Sequence, residues 1–133
     1  SRLSHYVPFS VCEIPALKNT SALTRTQIKE REGELILKAI KPTDRVILLD
    51  ERGKEYRSVE FAEEIRRLSL AGGKDIVFVI GGAYGFSEAV YARSVGKISL
   101  SRMTFSHQMV RTIFTEQLYR AFTIIKGEPY HHE

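Results

Sequence analysis

The stretch Ile76-Val77-Phe78-Val79-Ile80-Gly81-Gly82-Ala83-Tyr84-Gly85 is the starting point for predicting the fold. Its first five residues are apolar on both faces, which is typical of a central strand in a parallel sheet that is covered on both sides. Two glycines follow at once, and Ser87 is suited to cap a short helix that extends to about Val95, with Gly96 as its C-cap. The stretch therefore predicts a buried parallel strand that ends in a glycine turn and leads into a helix.

Elements of the same two kinds are predicted on either side of this strand. Apolar runs predict further strands at Phe9–Ile14, Arg45–Leu49 and Lys97–Leu100. Helical spacing of apolar residues predicts helices from about Thr26 to Ile40, from the N-cap Ser58 to the stop at Gly72-Gly73, and from about His107 to Ile125. Because strands alternate with helices, the predicted fold class is α/β, with a mainly parallel sheet and helices on both faces.

The composition is that of one globular domain spanning residues 1–133. Hydrophobic residues make up 43% of the chain and charged residues 27%, which argues against disorder. The one cysteine, Cys12, lies in an apolar run, so we interpret it as a small buried hydrophobe in an intracellular, cytoplasmic protein. No apolar run approaches the roughly 18 residues of a membrane span. The net charge of +4 permits an acidic partner such as nucleic acid without requiring one.

Three loops follow the carboxyl ends of predicted strands: Asp50–Gly53, Gly81–Phe86 and Ser101–Ser106. In a parallel sheet these loops meet at one edge, where ligands usually bind. Glycines there allow the backbone to approach a ligand, although a tight strand-to-helix turn explains Gly81 and Gly82 equally well. The spacing is not G-x-G-x-x-G and no G-K-[ST] follows, so neither a dinucleotide fold nor a P-loop is indicated.

The charged residues concentrate near the last helix. Between positions 97 and 126 the cations outnumber the anions five to one; they are Lys97, Arg102, Arg111, Arg120 and Lys126, against Glu116. Such a stretch suits contacts to phosphate, and a solvated basic face is the alternative. The adjacent His131 and His132 would point to opposite faces of a strand, so no metal site is predicted. No hydrolase motif is present.

Several stretches together carry a family resemblance. They are residues 78–87, 98–107, 116–121 and 129–133, extended upstream by residues 46–54 and by Glu32-Gly33-Glu34. In order and over nearly the whole chain, these residues closely resemble the bacterial ribosomal large subunit methyltransferase H family, which belongs to the SPOUT superfamily of knotted methyltransferases. Family members normally begin with a strand and a helix that would precede Ser1, so we expect the chain to lack these two elements.

The resemblance implies a fold and an activity. The fold would be a small α/β domain with a C-terminal trefoil knot, which general rules do not predict. S-adenosylmethionine would donate a methyl group to N3 of a pseudouridine in 23S ribosomal RNA, with the assembled ribosome as the target. The enzyme would be a homodimer whose active site is completed by both subunits, and it would need neither a membrane nor a metal.

The resemblance also implies which residues act. Arg120, Tyr130 and His131 would be catalytic: Arg120 would anchor the substrate and offset negative charge, and the other two would orient the base or relay its proton. The cofactor would be held at the three loops by Leu49, Gly81, Gly82, Ser101, Arg102, Met103, Thr104, Phe105 and Ser106.

This chain departs from the family pattern at two places. Ala83-Tyr84 stand where the family often has Pro-Glu, and Ser106 stands where it often has Pro. Contacts made by the backbone should survive both changes, whereas no role is assigned to the side chain of Tyr84. Two alternatives stay open: a SPOUT enzyme that acts on transfer RNA, and a nucleotide-binding or RNA-binding module without catalysis.

Overall fold

The computed structural model describes residues 9–14, 17, 20–70, 75–82 and 84–131. Within these residues strands and helices alternate as the sequence predicts. The elements are β1 (Phe9–Glu13), α1 (Arg25–Ala39), β2 (Arg45–Glu55), α2 (Ser58–Leu70), β3 (Ile76–Ile80), α3 (Glu88–Arg93), β4 (Gly96–Ser99) and α4 (His107–Lys126). The predicted helix stop at Gly72-Gly73 lies outside the described residues.

The four strands form one parallel sheet in the order β1-β3-β2-β4. Ile76 pairs with Phe9 on one side and with Arg45 on the other, so β3 lies inside the sheet. All five residues of β3 are buried, as predicted for a strand that is covered on both faces. Because the strands are parallel, their carboxyl ends lie at the same edge of the sheet.

Two separate hydrophobic clusters cover the two faces of this sheet, because successive residues of a strand point to opposite faces. Ile47 and Phe78 belong to a cluster that includes Phe61 of α2 and Phe114 of α4. The other cluster contains Leu48 of β2 and Val79 of β3. Ile36 of α1 and Val90 of α3 also belong to it, as does Phe86, which precedes α3. Helices therefore cover both faces, and the predicted α/β class is confirmed. Cys12 is half-buried and packs against the second cluster.

Strand β2 is longer than predicted. The sequence predicts its end at Leu49, but the strand continues to Glu55 with a register irregularity between Leu49 and Lys54, both of which pair with Ile98 of β4. Gly53 makes this possible, since a Cβ atom there would lie 2.6 Å from the backbone nitrogen of Ile98. Residues 50–53 thus form a bulge toward the carboxyl edge, followed by a second pairing with β4.

Two predicted helix caps are wrong. Ser58 is the first residue of α2, and its hydroxyl donates to Oε1 of Gln117 on α4 at 2.9 Å, because the two helices pack side by side. Gly96 belongs to β4, and the C-cap of α3 is Ser94. The Ser87 cap is confirmed, since its hydroxyl accepts from the backbone N–H of Val90.

Helix α4 has clear ends. The hydroxyl of Ser106 caps its first turn by accepting from the N–H of Met109 at 3.2 Å. Gly127 ends it in the left-handed conformation with φ of 74°, which glycine adopts without strain. The helix therefore extends from the loop 101–106 at the carboxyl edge, across one face of the sheet, to the segment that contains Tyr130 and His131.

Candidate active site

A cavity of about 730 Å³ opens at the carboxyl edge of the sheet. All three predicted loops contribute to its walls, and α1, α3 and the start of α4 complete them. Eight of the nine residues predicted to hold a cofactor line it: Leu49, Gly81, Gly82, Ser101, Met103, Thr104, Phe105 and Ser106. Arg102 is exposed and does not line the cavity.

Side chains packed against the glycine turn limit which residues can occupy positions 81 and 82. A Cβ atom on Gly81 would lie 2.7 Å from the ring of Phe86, and one on Gly82 would lie 2.3 Å from Oε2 of Glu32. A larger residue at either position would therefore force a neighbouring side chain to move. The hydrogen atom in place of a side chain leaves the backbone of this turn at the wall of the cavity.

The side chain of Glu32 packs against this turn at Gly82. The residue is buried on α1, and its Oε1 atom has no hydrogen-bond partner among the described residues. Burial raises the pKa of the Glu32 carboxyl, and the charge of His107 opposes that rise. The next residue, Gly33, packs against the Ser87 cap, where a Cβ atom would come within 2.4 Å of its hydroxyl oxygen. One turn of α1 thus supports both the glycine turn and the start of α3.

His107 joins β1 to the cavity wall. It is the first residue of α4 and lines the cavity, and its Nε2 lies 3.4 Å from Oε2 of Glu13. The other oxygen of Glu13 lies 3.9 Å from Nε of Arg111, one turn further along the helix. Glu13 therefore fixes the position of the helix start that follows the loop 101–106.

Asp50, Arg52 and Tyr91 form the opposite wall. The Tyr91 hydroxyl donates to Asp50, whose Oδ1 accepts from the backbone N–H of Arg52 at 2.8 Å. Burial raises the pKa of Tyr91, and the hydrogen bond to Asp50 adds to this effect. The guanidinium of Arg52 stacks over the Tyr91 ring at 5.1 Å. This network holds the bulge of β2 against α3.

The cavity suits a cofactor that combines an apolar ring with polar groups. Its volume lies within the range of roughly 300–1,000 Å³ that is usual for small-molecule sites. Leu49, Ile80 and Met103 provide apolar walls, and the loop 101–106 and the glycine turn provide backbone donors and acceptors. Among the described residues, no group of three or more His, Cys, Asp or Glu side chains is placed to hold a metal ion.

The three predicted catalytic residues lie together at the other end of α4. Nη1 of Arg120 is 3.0 Å from Nδ1 of His131, and its Nη2 donates to Oε2 of Glu116 at 2.8 Å. The Tyr130 hydroxyl donates to the same Glu116 oxygen at 3.0 Å, and the Arg120 guanidinium lies over the Tyr130 ring at 4.8 Å. Tyr119 completes the group with an edge contact to the Tyr130 ring at 4.9 Å.

The chemistry of this cluster follows from its hydrogen bonds. Because a guanidinium has only donors, Nδ1 of His131 must accept, and the neutral imidazole therefore carries its proton on Nε2. The hydrogen bond from Arg120 holds the pKa of Glu116 below its usual range, and the hydrogen bond to Glu116 raises the pKa of Tyr130. The cluster thus presents Arg120 and Tyr130 as donors to one carboxylate, and Arg120 donates to His131 as well.

The cluster and the cavity are separate within one chain. Arg120, Tyr130 and His131 do not line the cavity, whereas His107 and Val110 at the start of α4 do. Arg120 lies thirteen positions after His107 on the helix, which corresponds to about 20 Å along its axis. The structure therefore brings the three predicted catalytic residues together and eight of the nine predicted cofactor residues together, but it does not bring the two groups to one place in a single chain.

The basic stretch near α4 is less basic than its composition indicates. Arg111 lies near Glu13 and Arg120 pairs with Glu116, and Nζ of Lys126 is 3.4 Å from Oε2 of Glu128. The excess of five cations to one anion thus shrinks when residues outside positions 97–126 are included.

Sequence reasoning missed the side chains that support the site. Next to Glu32 stands Gly33, an unusual residue for a helix interior, which marks this turn of α1 as a place of close packing. Nothing in the sequence, however, indicates that Glu32 itself is buried. Asp50 belongs to a predicted loop, and its pairing with Tyr91 is a long-range contact. Glu116 enters the sequence analysis only as the one anion of a basic stretch, although its spacing of four residues from Arg120 is a signal for an ion pair.

Residues 1–131 match a family model described as "Predicted SPOUT methyltransferase". The chain belongs to the SPOUT methyltransferase family. The predicted resemblance is confirmed, and so is the prediction that the chain is a methyltransferase. Relatives that match nearly the full chain are named "Ribosomal RNA large subunit methyltransferase H". One from Parabacteroides distasonis is 56% identical over 133 residues, which is 100% of this chain and 85% of that protein.

Two further relatives of this family carry the same name. The one from Flavobacterium psychrophilum is 58% identical over 132 residues, covering 99% of this chain and 84% of that protein. The one from Christiangramia forsetii is 59% identical over 131 residues, covering 98% of this chain and 83% of that protein. In the described part of this SPOUT methyltransferase, no helix has both the length and the apolar character that crossing a membrane requires.

Proposed function

We propose that this SPOUT methyltransferase transfers a methyl group from S-adenosylmethionine to N3 of a pseudouridine in 23S ribosomal RNA, acting on the assembled ribosome in the cytoplasm. The observation that carries the proposal is the identity of 56% to 59%, over nearly the whole chain, with proteins named for ribosomal RNA methylation. The cavity at the carboxyl edge supports it, because eight residues expected at the cofactor line that cavity.

The cavity residues would bind the methyl donor. S-adenosylmethionine supplies an electrophilic methyl group on a sulfonium. Leu49 and Met103 would contact the two sides of the adenine ring, and the backbone of residues 101–106 would form hydrogen bonds with its edge. Gly82 would keep the turn close to the ligand without a side chain between them. A rigid wall on both sides would fix the orientation of the donor, which is a major part of the rate gain in a transfer reaction.

The Arg120 cluster would act on the base that accepts the methyl group. An N3–H of a uracil-type ring is weakly acidic, so its proton must leave and the resulting anion must be stabilised. Arg120 and Tyr130, which both donate to Glu116, suit the second task, because hydrogen bonds and a positive charge directed at the base oxygens would stabilise that anion. Arg120 would supply the charge, and Tyr130 and His131 would orient the base.

We further propose that the enzyme is a homodimer in which the Arg120 cluster of one subunit completes the cavity of the other. The separation of about 20 Å along α4 supports this arrangement, since one chain alone does not join the two sites. Apolar side chains are exposed at both ends, with Met103 and Met109 near the cavity and Tyr119 near the cluster. We also expect the family's C-terminal trefoil knot.

Two measurements test the proposed function. Mass spectrometry of ribosomal RNA from a strain that lacks the gene should show the loss of one methyl group on a 23S pseudouridine, and a plasmid copy should restore it. An unchanged 23S spectrum with a methyl group missing from transfer RNA would instead favour a transfer RNA enzyme. Calorimetry with S-adenosylmethionine covers the other alternative, since no binding at near-millimolar ligand would favour a module without catalysis.

A further inference from the structure

Two cations stand at the mouth of the cavity on the first half of α1. Arg25 is the first residue of the helix, and Lys29 lies four positions later on the same side. Both line the cavity, as does Arg52 of the β2 bulge. Neither residue belongs to the family stretches or to the basic stretch near α4.

Neither side chain is paired with an anion in the part of the chain that the structure describes. Among the described residues, no carboxylate lies within ion-pair distance of Arg25 or Lys29, in contrast to Arg52, which has Asp50 at 3.7 Å. Arg25 stacks instead over the ring of Tyr84 at 5.2 Å. An aromatic ring holds a guanidinium in place and leaves its charge and its N–H donors available to a ligand.

The charge of Arg25 does not stabilise the start of α1. The first turn of a helix favours anions, because its N–H groups carry partial positive charge, yet this turn contains Arg25 and no acidic residue. The helix start is stabilised by a capping box instead, in which Thr24 accepts from the N–H of Gln27 at 3.1 Å and Gln27 accepts from the N–H of Thr24 at 2.9 Å. A cation at an unfavourable place in the first turn and a second cation one turn later, both beside a cavity, indicate a ligand with negative charge.

We propose that Arg25 and Lys29 bind a phosphate of the RNA backbone beside the target nucleotide, and that Tyr84 positions Arg25 for this contact. The inference rests on the proposed function. The methyl donor is a poor candidate for this place, because its sulfonium and ammonium groups outweigh its carboxylate and give it net positive charge. RNA phosphates are the anions that a substrate would bring to the mouth of the cavity, and backbone contacts of this kind set register and orientation.

The test compares two double variants of the intact protein that remove the same number of charges from the same helix. Arg25→Gln/Lys29→Gln removes the cations at the cavity mouth, whereas Arg31→Gln/Lys38→Gln removes two exposed cations of α1 that do not line the cavity. Because removal of cations from a helix start relieves an unfavourable charge, the first variant should fold at least as well as the second.

The probe is the unmodified large ribosomal subunit, with binding measured over a range of salt concentrations. The slope of log binding constant against log salt should become shallower by about 0.7 to 0.9 for each RNA phosphate that the protein no longer neutralises, and the KM for the RNA should rise at least about tenfold. Affinity for S-adenosylmethionine should not change. The control variant should keep the wild-type slope and KM.

Other results would overturn the inference. Equal changes in the two double variants would show a general charge effect, and weaker binding of S-adenosylmethionine alone would assign the two cations to the cofactor. If the wild-type protein methylates no 23S RNA, the proposed function fails. If the wild-type protein is active and the Arg25→Gln/Lys29→Gln variant matches it, only this inference fails.

Discussion

Nη1 of Arg120 lies 3.0 Å from Nδ1 of His131, so the segment after α4 folds back onto that helix. Both hydrogen-bonding arms of the guanidinium are engaged, since Nη2 donates to Glu116. Arg120 is thereby held in one orientation before any substrate is present. This arrangement gives the cluster a fixed shape, which electrostatic stabilisation of a reacting group requires.

Arg120→Ala should therefore reduce methyl transfer by at least about 100-fold, as expected when a preorganised donor is removed from an anion in a transition state. Affinity for S-adenosylmethionine should stay nearly unchanged, because the residues expected to bind the donor lie at the cavity loops and Arg120 is not one of them. Turnover on ribosomal subunits and calorimetry with the donor measure the two effects. Lys126→Ala, on the last turn of the same helix, is the matched control. Full activity of Arg120→Ala would remove this residue from the mechanism.

Tyr130→Phe should lower turnover by roughly tenfold, which corresponds to the net worth of one hydrogen bond to a charged group. The substitution keeps the ring beneath Arg120 and removes only the hydroxyl that donates to Glu116. Tyr119→Phe is the control, because the Tyr119 hydroxyl makes no hydrogen bond among the described residues. Equal turnover of these two variants would mean that the Tyr130 hydroxyl has no role.

Gly82→Ala should destabilise the protein by roughly 1–3 kcal/mol, as overpacking of a filled site usually does. The new methyl group would overlap the buried carboxylate of Glu32, so Glu32→Ala should restore part of the stability in a double-mutant cycle. Unfolding in urea measures all four proteins. Gly96→Ala is the control, since no atom lies within 4 Å of a Cβ atom there. Strictly additive effects at positions 82 and 32 would contradict the contact.

Glu32 should contribute to the way the free energy of unfolding changes with pH. Because burial raises the pKa of Glu32 in the folded protein, the folded state holds this proton more tightly than the unfolded state does. The contribution of Glu32 to stability is therefore greatest at acidic pH and declines as pH rises from its ordinary value toward the raised one. Glu32→Gln should reduce this decline. Urea unfolding at a series of pH values above about 4, the ordinary pKa of a carboxyl group, measures the effect. Glu34→Gln, at an exposed position of the same helix, should leave the decline as it is in the wild type.

Sequence reasoning was most successful where local patterns decide the structure. The apolar run Ile76–Ile80 is a buried parallel strand, the Ser87 cap forms, and the three loops meet at one cavity. These features depend on alternation, spacing and parallel topology, all of which are visible in one sequence. The individual site residues, in contrast, were predicted from the family resemblance and not from these patterns.

Prediction from the sequence failed where a contact with a distant part of the chain decides the local structure. Strand β2 extends past Leu49 because Gly53 lies against the backbone of β4, and Ser58 bonds to Gln117 rather than capping its own helix. Glu32 is buried although a charged residue on a helix normally faces water. No spacing rule reports such long-range contacts.

A mixing experiment tests the shared active site, which is the central claim, most directly. Thr104→Trp would fill the cavity from an exposed position, and Arg120→Ala would disable the cluster, so each variant alone should be inactive. Native mass spectrometry should first establish that both form dimers. If each site uses one chain's cavity and the other chain's cluster, an equal mixture of exchanging subunits should regain about a quarter of wild-type activity, because half of the dimers then contain one intact site. A mixture that remains as inactive as its two components, although heterodimers are present, would contradict the account.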